Sequence, residues 1–333
     1  MGITIVDIAR KLKVSHSTVS RVLNDRHDRF ISNQTRQRVL TAAHELGYRP
    51  NRAAQALVTG RTGRVAFWAP DLRVLSFHEM IWRFHRLLRT GGYEMIAGEF
   101  DWEMADPTRA VGFTRMDVDG VLIFGGALGD KLQGVLESNF PDKVPIVNMG
   151  LMCHGSLDYV RLDPYPAAKE AMGHLTRSGC RRIIFLGMPD PNVARHDLYR
   201  AYAEGIGELG GEPELVVSPE PFMETVRSTV REYVRTRGCP DAVFCMSDEY
   251  ALGAFRALRD LGKNVPEEVR VVGGSRIEEL DFMDVPISTI IHPVDEMCRL
   301  AWEFLHRRME EPEIPQQTAT LTAEFVLRKG NSE

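Results

Sequence analysis

Apolar positions recur at helical spacing along the first 47 residues, and each apolar stretch follows a polar residue that can start a helix. Ile5, Ile8 and Leu12 lie three and four residues apart, which places them on one helical face. Two further stretches repeat the pattern, and Lys13–Val14 is expected to form a tight turn. Three short helices joined in this way predict a helix-turn-helix unit. The expected caps are Thr4, Ser15 and Ser32, the expected inward residues are Val19, Val22, Leu23, Val39, Ala43 and Leu46, and Gly47 ends the third helix.

Residues 48–62 form a separate linker in this pattern. Pro50 stops the third helix, and Asn51 can cap a short helix over residues 52–57. Such a helix has only about two turns, so it is marginally stable in water by itself. We therefore expect the linker helix to need a binding partner.

From Arg64 onward, short apolar strands alternate with amphipathic helical stretches. This alternation predicts an α/β fold with parallel sheets covered by helices on both faces. The body has about 270 residues, which favours two α/β lobes over one open sheet. Strands are expected at Val65–Trp68, Tyr93–Ala97, Gly120–Phe124, Ile146–Asn148, Arg182–Leu186, Leu215–Val217, Ala242–Met246 and Arg270–Gly273, and helices at Phe77–Arg89, Pro166–Arg177, Leu198–Leu209, Met223–Arg237 and Glu249–Leu261.

Charge is distributed unevenly between the two parts of the chain. Residues 1–64 hold twelve Lys or Arg and four Asp or Glu, which gives +8. The whole chain carries −5, so the remainder carries −13. A basic segment on an acidic body is typical of a nucleic-acid-binding domain, and a merely solvated basic surface is the alternative.

Composition excludes several other classes of protein. No run of about 18 apolar residues marks a membrane span, and residues 1–10 lack the apolar stretch of a signal peptide. The five cysteines are scattered without metal-ligand spacing, so we expect reduced thiols, a cytoplasmic location and no metal. Gly-rich phosphate-binding motifs and nucleophile elbows are missing from the sequence, so we expect neither a cofactor nor enzymatic activity.

The second predicted helix presents a small polar face opposite Val19. At about 100° per residue, Ser17, Arg21 and Asn24 lie on that side, with His16 beside them in the first turn. This face fits the DNA major groove, where Arg21 can donate two hydrogen bonds to a guanine and His16 and Ser17 can contact base edges. The alternative is that these side chains only solvate the helix. Candidates for contacts to DNA phosphates are Thr4, Ser15, Thr18, Asn24 and Asn51.

Long runs in this region resemble the DNA-binding head of LacI/GalR-type transcriptional regulators. The runs are 5–9, 14–24, 32–39 and 42–51. The body resembles the same family more loosely through to the C-terminus. Segments that carry the looser resemblance are 69–71, 118–123, 181–187, 247–254 and 265–269.

The resemblance implies a homodimer that binds a near-palindromic double-stranded DNA operator, as repressors of this family do. It places base contacts on His16, Ser17 and Arg21, and a minor-groove wedge on Leu57, in a linker helix that folds on DNA. It also implies a periplasmic-binding-protein-like core with a small-molecule effector between two lobes, the chain crossing near Arg161, His292 and Thr318. The domains are then a helix-turn-helix head (1–47), a linker (48–62), an N-subdomain (63–160 with 293–317) and a C-subdomain (161–292 with 318–329).

The sequence departs from the family pattern in the expected effector cleft. The acid that usually follows the Val-Val-Gly strand is replaced, because Gly274 is followed by Ser275 and Arg276. The usual cleft arginine is also missing, since Leu198 stands at its position. The effector is therefore expected to be a sugar or an acidic or phosphorylated metabolite. The candidate effector-binding residues are Phe77, Asp163, Arg195, Asp248 and Arg276.

Two other interpretations stay open at this stage. The chain can be a DNA-binding regulator whose cleft binds no effector, or an α/β solute-binding protein or enzyme with an incidental basic head. The basic head and the leucine-bearing linker favour a DNA-binding regulator. The six residues after Leu327 contain no heptads, so we expect a dimer without a C-terminal coiled coil.

Overall fold

The computed structural model describes residues 3–23, 31–48, 56, 60–99, 117–124, 144–151, 153, 155–189, 193–275 and 277–328. The chain divides into two compact units, Met1–Thr62 and Gly63–Glu333, which we call the head and the body.

The described residues 3–23 and 31–48 of the head form three helices around a small apolar core: α1 (Ile5–Leu12), α2 (His16–Leu23) and α3 (Asn33–Glu45). The turn between α1 and α2 is tight because Lys13 adopts the left-handed conformation, with φ of 54°. The predicted helix-turn-helix unit is thereby confirmed. The buried core residues are Ile8, Ala9, Val19, Val22, Val39, Ala42 and Ala43.

The first lobe of the body is built on a parallel six-stranded sheet. Helices α4 (Leu75–Thr90) and α9 (Val294–Glu310) contribute to one core cluster with this sheet. The sheet order is β11-β5-β4-β3-β1-β2. Its strands are β1 (Arg64–Ala69), β2 (Glu94–Glu99), β3 (Gly120–Ile123), β4 (Ile146–Gly150), β5 (Asp158–Asp163) and β11 (Thr318–Thr322).

The second lobe is built on another six-stranded sheet, parallel except at one edge. The order is β12-β10-β9-β8-β6-β7, and β12 pairs antiparallel with β10. Two apolar clusters belong to this lobe, one with α5 and α6 and the other with α7 and α8. The elements are β6 (Ile183–Gly187), β7 (Glu214–Val217), β8 (Ala242–Cys245), β9 (Arg270–Ser275), β10 (Ser288–Ile291), β12 (Glu324–Val326), α5 (Tyr165–Arg177), α6 (Asp197–Glu208), α7 (Met223–Arg237) and α8 (Asp248–Asp260).

Two of the expected crossings between lobes need correction. Arg161 and Thr318 were expected at lobe boundaries, but β5 continues to Asp163 and pairs with β11, which keeps both strands in the first sheet. These two strands stay in one sheet because they pair in parallel along their length, from Thr318 opposite Tyr159 to Thr322 opposite Asp163. The first crossing therefore follows Asp163, and the last falls at Ala323, between β11 and β12. Between them, the chain passes from β10 to α9 through His292 and Pro293.

Candidate DNA-binding face and effector cleft

The second helix of the head presents the predicted polar face. His16, Ser17 and Arg21 are exposed, whereas Val19 and Val22 on the opposite side are buried in the head core. Ser17 and Arg21 lie four residues apart on one helix, so their side chains share a face. A helix with this arrangement can hold an arginine and two smaller polar groups against base edges.

Side-chain caps fix the start of each of the first two helices. Thr4 accepts a hydrogen bond from the Asp7 amide, and the Asp7 carboxylate accepts from the Thr4 amide at 3.0 Å. Hydrogen bonds from Thr4 hold the pKa of Asp7 below its ordinary value. At α2, Ser15 Oγ accepts from the Thr18 amide at 3.0 Å and lies 2.8 Å from Ser17 Oγ. Two hydroxyls predicted to contact DNA phosphates therefore also fix helix starts, Thr4 that of α1 and Ser15 that of α2.

Several predicted contacts fall outside the described residues. They are Asn24 and Asn51 among the phosphate contacts, Leu57 as the minor-groove wedge, and Arg276 in the effector cleft.

The four described cleft candidates, Phe77, Asp163, Arg195 and Asp248, lie at or near the carboxyl ends of parallel strands. This is the edge of an open α/β sheet where ligands bind. Phe77, at the start of α4, is buried, and its ring packs edge-on against Phe124 with centroids 5.0 Å apart. Asp163 ends β5, and its Oδ1 accepts from the Tyr165 amide at 3.0 Å. Arg195 ends a short 3-10 helix and is exposed.

Asp248 differs from the other candidates because it is completely buried and engaged within the second lobe. Its Oδ2 accepts from the Ile277 amide at 2.9 Å, and its Oδ1 accepts from Thr289 Oγ1 at 2.6 Å. These bonds join α8 to β10 and to the segment after β9. The structure thus gives Asp248 a scaffold role, and its contact with an effector stays a prediction.

Two polar groups near the carboxyl edge of the second sheet were not among the candidates. Ser275 ends β9, is buried, and has φ of 106°, which is costly for a residue with a side chain. Its Oγ and the Nε2 of His292 are buried and have no hydrogen-bond partner among the described residues. Ile291, the neighbour of His292, pairs with Ser275, so both groups lie at the ends of adjacent strands. Buried polar groups without partners need a functional or structural explanation.

Comparison with known proteins agrees with both parts of this arrangement. Residues 4–51 match the model of bacterial regulatory proteins of the lacI family, and residues 172–330 match a periplasmic binding protein-like domain. The chain is a LacI-family DNA-binding transcriptional regulator. Its two parallel-sheet lobes form the effector-binding domain of that architecture, and the family is one of regulators rather than enzymes.

Similarity to known regulators extends over nearly the whole of this chain. Catabolite control protein A of Staphylococcus aureus (strain Mu50 / ATCC 700699) is 25% identical, with 98% of this chain and 99% of that protein covered. The HTH-type transcriptional regulator RegA of Clostridium saccharobutylicum is 27% identical, with 99% of each covered.

Solved structures show the same fold. The lac repressor dimer bound to operator and the anti-inducer ONPF has a TM-score of 0.80 at 20% identity, with 99% of each chain covered. The complex of the transcriptional regulator CelR with cellobiose has a TM-score of 0.67 at 25% identity, with 99% of this chain and 100% of that chain covered.

The described part of this LacI-family chain holds no group of three or more His, Cys, Asp or Glu that could bind a metal ion. Among the same residues, no helix is long and apolar enough to cross a membrane.

We expect His292 to make the LacI-family body less stable in acid. Burial lowers the pKa of His292 to about 4, whereas its ordinary value is 6.5. The unfolded chain therefore binds more protons between these values, so stability falls as the pH drops from about 6.5 towards 4. The loss from this group reaches about 2 kcal/mol at pH 5. Urea unfolding at pH 7 and pH 5 measures this loss. In His292→Gln, whose side chain does not titrate, the free energy of unfolding should differ less between the two pH values. An unchanged difference in that variant would contradict the burial of a neutral His292.

Proposed function

We propose that this chain is a sequence-specific repressor that binds a near-palindromic operator as a homodimer, under the control of a small molecule in the cleft of the body. The observation that carries the proposal is the exposed face of α2, with His16, Ser17 and Arg21 on a helix fixed by side-chain caps. In this account Arg21 contacts a guanine, and the neighbouring hydroxyls contact base edges and phosphates.

Salt dependence tests whether the basic head binds DNA through phosphates. Each phosphate neutralised by Lys or Arg releases counterions, so the affinity should fall steeply as salt rises. Fluorescence anisotropy of the full-length chain with a labelled duplex measures this between about 50 and 200 mM salt. A loss of about 100-fold or more is expected, and a flat response would contradict the assignment of the head.

The homodimer is supported by a large aromatic side chain on the surface of the second lobe. Phe282 ends a short 3-10 helix and is 79% exposed. Aromatic residues are enriched in interface cores, where their burial stabilises association. A second copy of this chain is the occupant that we propose, since the lac repressor structure with the same fold is a dimer.

We expect Phe282→Glu to weaken the dimer by about tenfold to 100-fold, because a charge would replace a buried ring at the interface. Sedimentation equilibrium measures the dissociation constant directly. Met223→Glu is the matched control, since Met223 is also an exposed apolar residue of this lobe but starts α7, where an acid is favourable. Equal dissociation constants for the two variants would contradict the placement of Phe282 in the dimer interface.

We further propose that an effector binds at the carboxyl edges of the two sheets. Phe77 supplies an apolar wall, Asp163 and Ser275 supply oxygens, and the ring nitrogen of His292 is available at the crossing between lobes. The burial that keeps His292 neutral suits hydrogen bonding to a hydroxyl more than pairing with an anion. A sugar or sugar phosphate is the proposed ligand class, with Arg195 and Arg276 as the groups that would bind a phosphate.

Thermal unfolding with added ligands tests the effector. The ligands named for relatives of known structure, namely cellobiose, ribose and lactose, form the first set, and a hexose phosphate forms the second. Saturating ligand should raise the midpoint temperature of unfolding, because a ligand that binds only the folded state stabilises that state. Stabilisation by the hexose phosphate alone would identify a phosphorylated effector. No change with any of these compounds would favour a regulator whose cleft has no sugar effector.

A further inference from the structure

One helix of the first lobe begins without a capping side chain of its own. Val74 occupies the N-cap position of α4, and it makes no side-chain cap hydrogen bond. The first amide groups of a helix have no acceptor within the helix, so they require partners from elsewhere. The Phe77 amide reaches the Val74 carbonyl at 3.1 Å. The Ser76 amide instead finds its acceptor in the other lobe.

That acceptor is Glu249, the second residue of α8. Its Oε1 accepts from the Ser76 amide at 3.0 Å, although the two residues are 173 positions apart. Its Oε2 accepts from Ser247 Oγ at 2.6 Å. Glu249 is only 3% exposed, so its carboxylate is bound at the positive ends of two helices that belong to different lobes. Each oxygen of this buried charge has a donor, which is the condition for burying it at acceptable cost.

Other contacts surround this bond at the same end of α4. Leu75 packs against the apolar cluster of the second lobe that includes α7 and α8. The Arg73 guanidinium lies over the Phe222 ring, 4.3 Å from its centroid. A separate bridge joins the lobes elsewhere, since Arg161 Nη2 of β5 donates to the buried Asp197 of α6 at 2.8 Å. Packed side chains thus surround the hydrogen bond from Ser76 to Glu249 and limit the access of water to it.

We propose that Glu249 is a latch that holds the two lobes of the body together by capping α4 from the opposite lobe. When the lobes separate, the Ser76 amide loses its acceptor and Glu249 loses one of its two donors. The contact therefore stabilises the arrangement in which the lobes meet, independently of any effector. The proposed function places the effector in the cleft between these two lobes. An effector that moves the lobes then strengthens or breaks the hydrogen bond between Ser76 and Glu249, a consequence that rests on the proposed function.

Hydrogen exchange of the full-length chain, followed by mass spectrometry, tests the latch without an effector or DNA. In Glu249→Ala, peptides that contain the first turn of α4 should exchange about tenfold faster or more, because the Ser76 amide has lost a charged acceptor. Glu249→Gln keeps an oxygen at the same place and should give a smaller acceleration. The matched control is Glu224→Ala, since Glu224 is the second residue of α7 in the same lobe and is exposed. This control should leave α4 unchanged.

The location of the acceleration separates a latch from a simple loss of stability. A variant that only destabilises the second lobe would speed exchange in α8 and β8 while α4 kept its wild-type rate, and this result would overturn the proposal. Unchanged exchange at α4 in both Glu249 variants would also overturn it. Should the alanine variant fail to fold, acceleration at α4 in Glu249→Gln, relative to Glu224→Gln, supports the latch and its absence refutes it. None of these readouts depends on operator binding, so failure of the latch is distinguishable from failure of the proposed function.

Discussion

Gly273→Ala should destabilise the body by about 3–5 kcal/mol. A Cβ atom on Gly273 would lie 2.0 Å from Oδ1 of Asp248, far closer than two such atoms can approach, so the Asp248 side chain would have to shift. Asp248 would have to move, and its hydrogen bonds to Thr289 and to the Ile277 amide would break. Overpacking costs about 1–3 kcal/mol, and disturbing the hydrogen bonds of a buried carboxylate adds about 2 kcal/mol more.

Urea unfolding at pH 7 measures this effect, and Gly207→Ala is its control. Gly207 lies within α6, and a Cβ atom there would meet no atom of the described residues within 4 Å. Alanine is the better helix former, so the control should be unchanged or more stable by up to about 1 kcal/mol. A free energy of unfolding for Gly273→Ala within about 1 kcal/mol of the wild-type value would refute the tight contact between β9 and α8.

Arg21→Ala should reduce affinity for the operator by about fivefold to 150-fold and relax the preference at one base pair in each half-site. In the function proposed above, Arg21 donates two parallel hydrogen bonds to a guanine, and the variant loses both. Binding to random DNA should fall much less, because that binding depends mainly on the total positive charge.

Arg10→Ala is the matched control for this experiment. Arg10 also belongs to the head and is exposed, but it lies in the last turn of α1 and not on the predicted reading face. Its loss should weaken binding to operator and random duplexes by similar factors. If Arg21→Ala behaved in the same way as Arg10→Ala, Arg21 would not read a base.

The head could be predicted closely from the sequence because its determinants are local. The caps Thr4, Ser15 and Ser32 lie within three residues of the amides that they accept from, and the apolar spacing defines the core. The strands of the body were predictable wherever a buried strand forms a continuous apolar run, as β1, β6 and β8 do.

Other strands and the lobe boundaries required long-range information. Strand β11 has exposed positions alternating with half-buried ones, and only its pairing with β5, more than 150 residues away, places it in the first sheet. Strand β5 also alternates along its length, with buried positions between half-buried ones. Neither strand contains an uninterrupted apolar run like those of β1, β6 and β8. The crossings that the family resemblance implied at Arg161 and Thr318 were displaced because β5 and β11 pair within the first sheet.

The chemistry of the cleft was the least predictable part. Asp248 was proposed from the sequence as an effector contact, but its partners Ile277 and Thr289 lie 29 and 41 positions away and are visible only in the fold. Ser275 and His292 carry no local signal of their missing hydrogen-bond partners. The contact between Glu249 and Ser76 joins two lobes, so no spacing along the chain could indicate it.

Selection of binding sites from a pool of random duplex DNA tests the central claim most directly. The full-length protein would be incubated with the pool at moderate salt, and the bound fraction would be sequenced over successive rounds. We predict enrichment of a near-palindrome whose two half-sites each contain a guanine that Arg21→Ala no longer selects. Recovery of DNA without an enriched sequence, under conditions in which the protein is folded and binds the pool, would contradict sequence-specific recognition by α2.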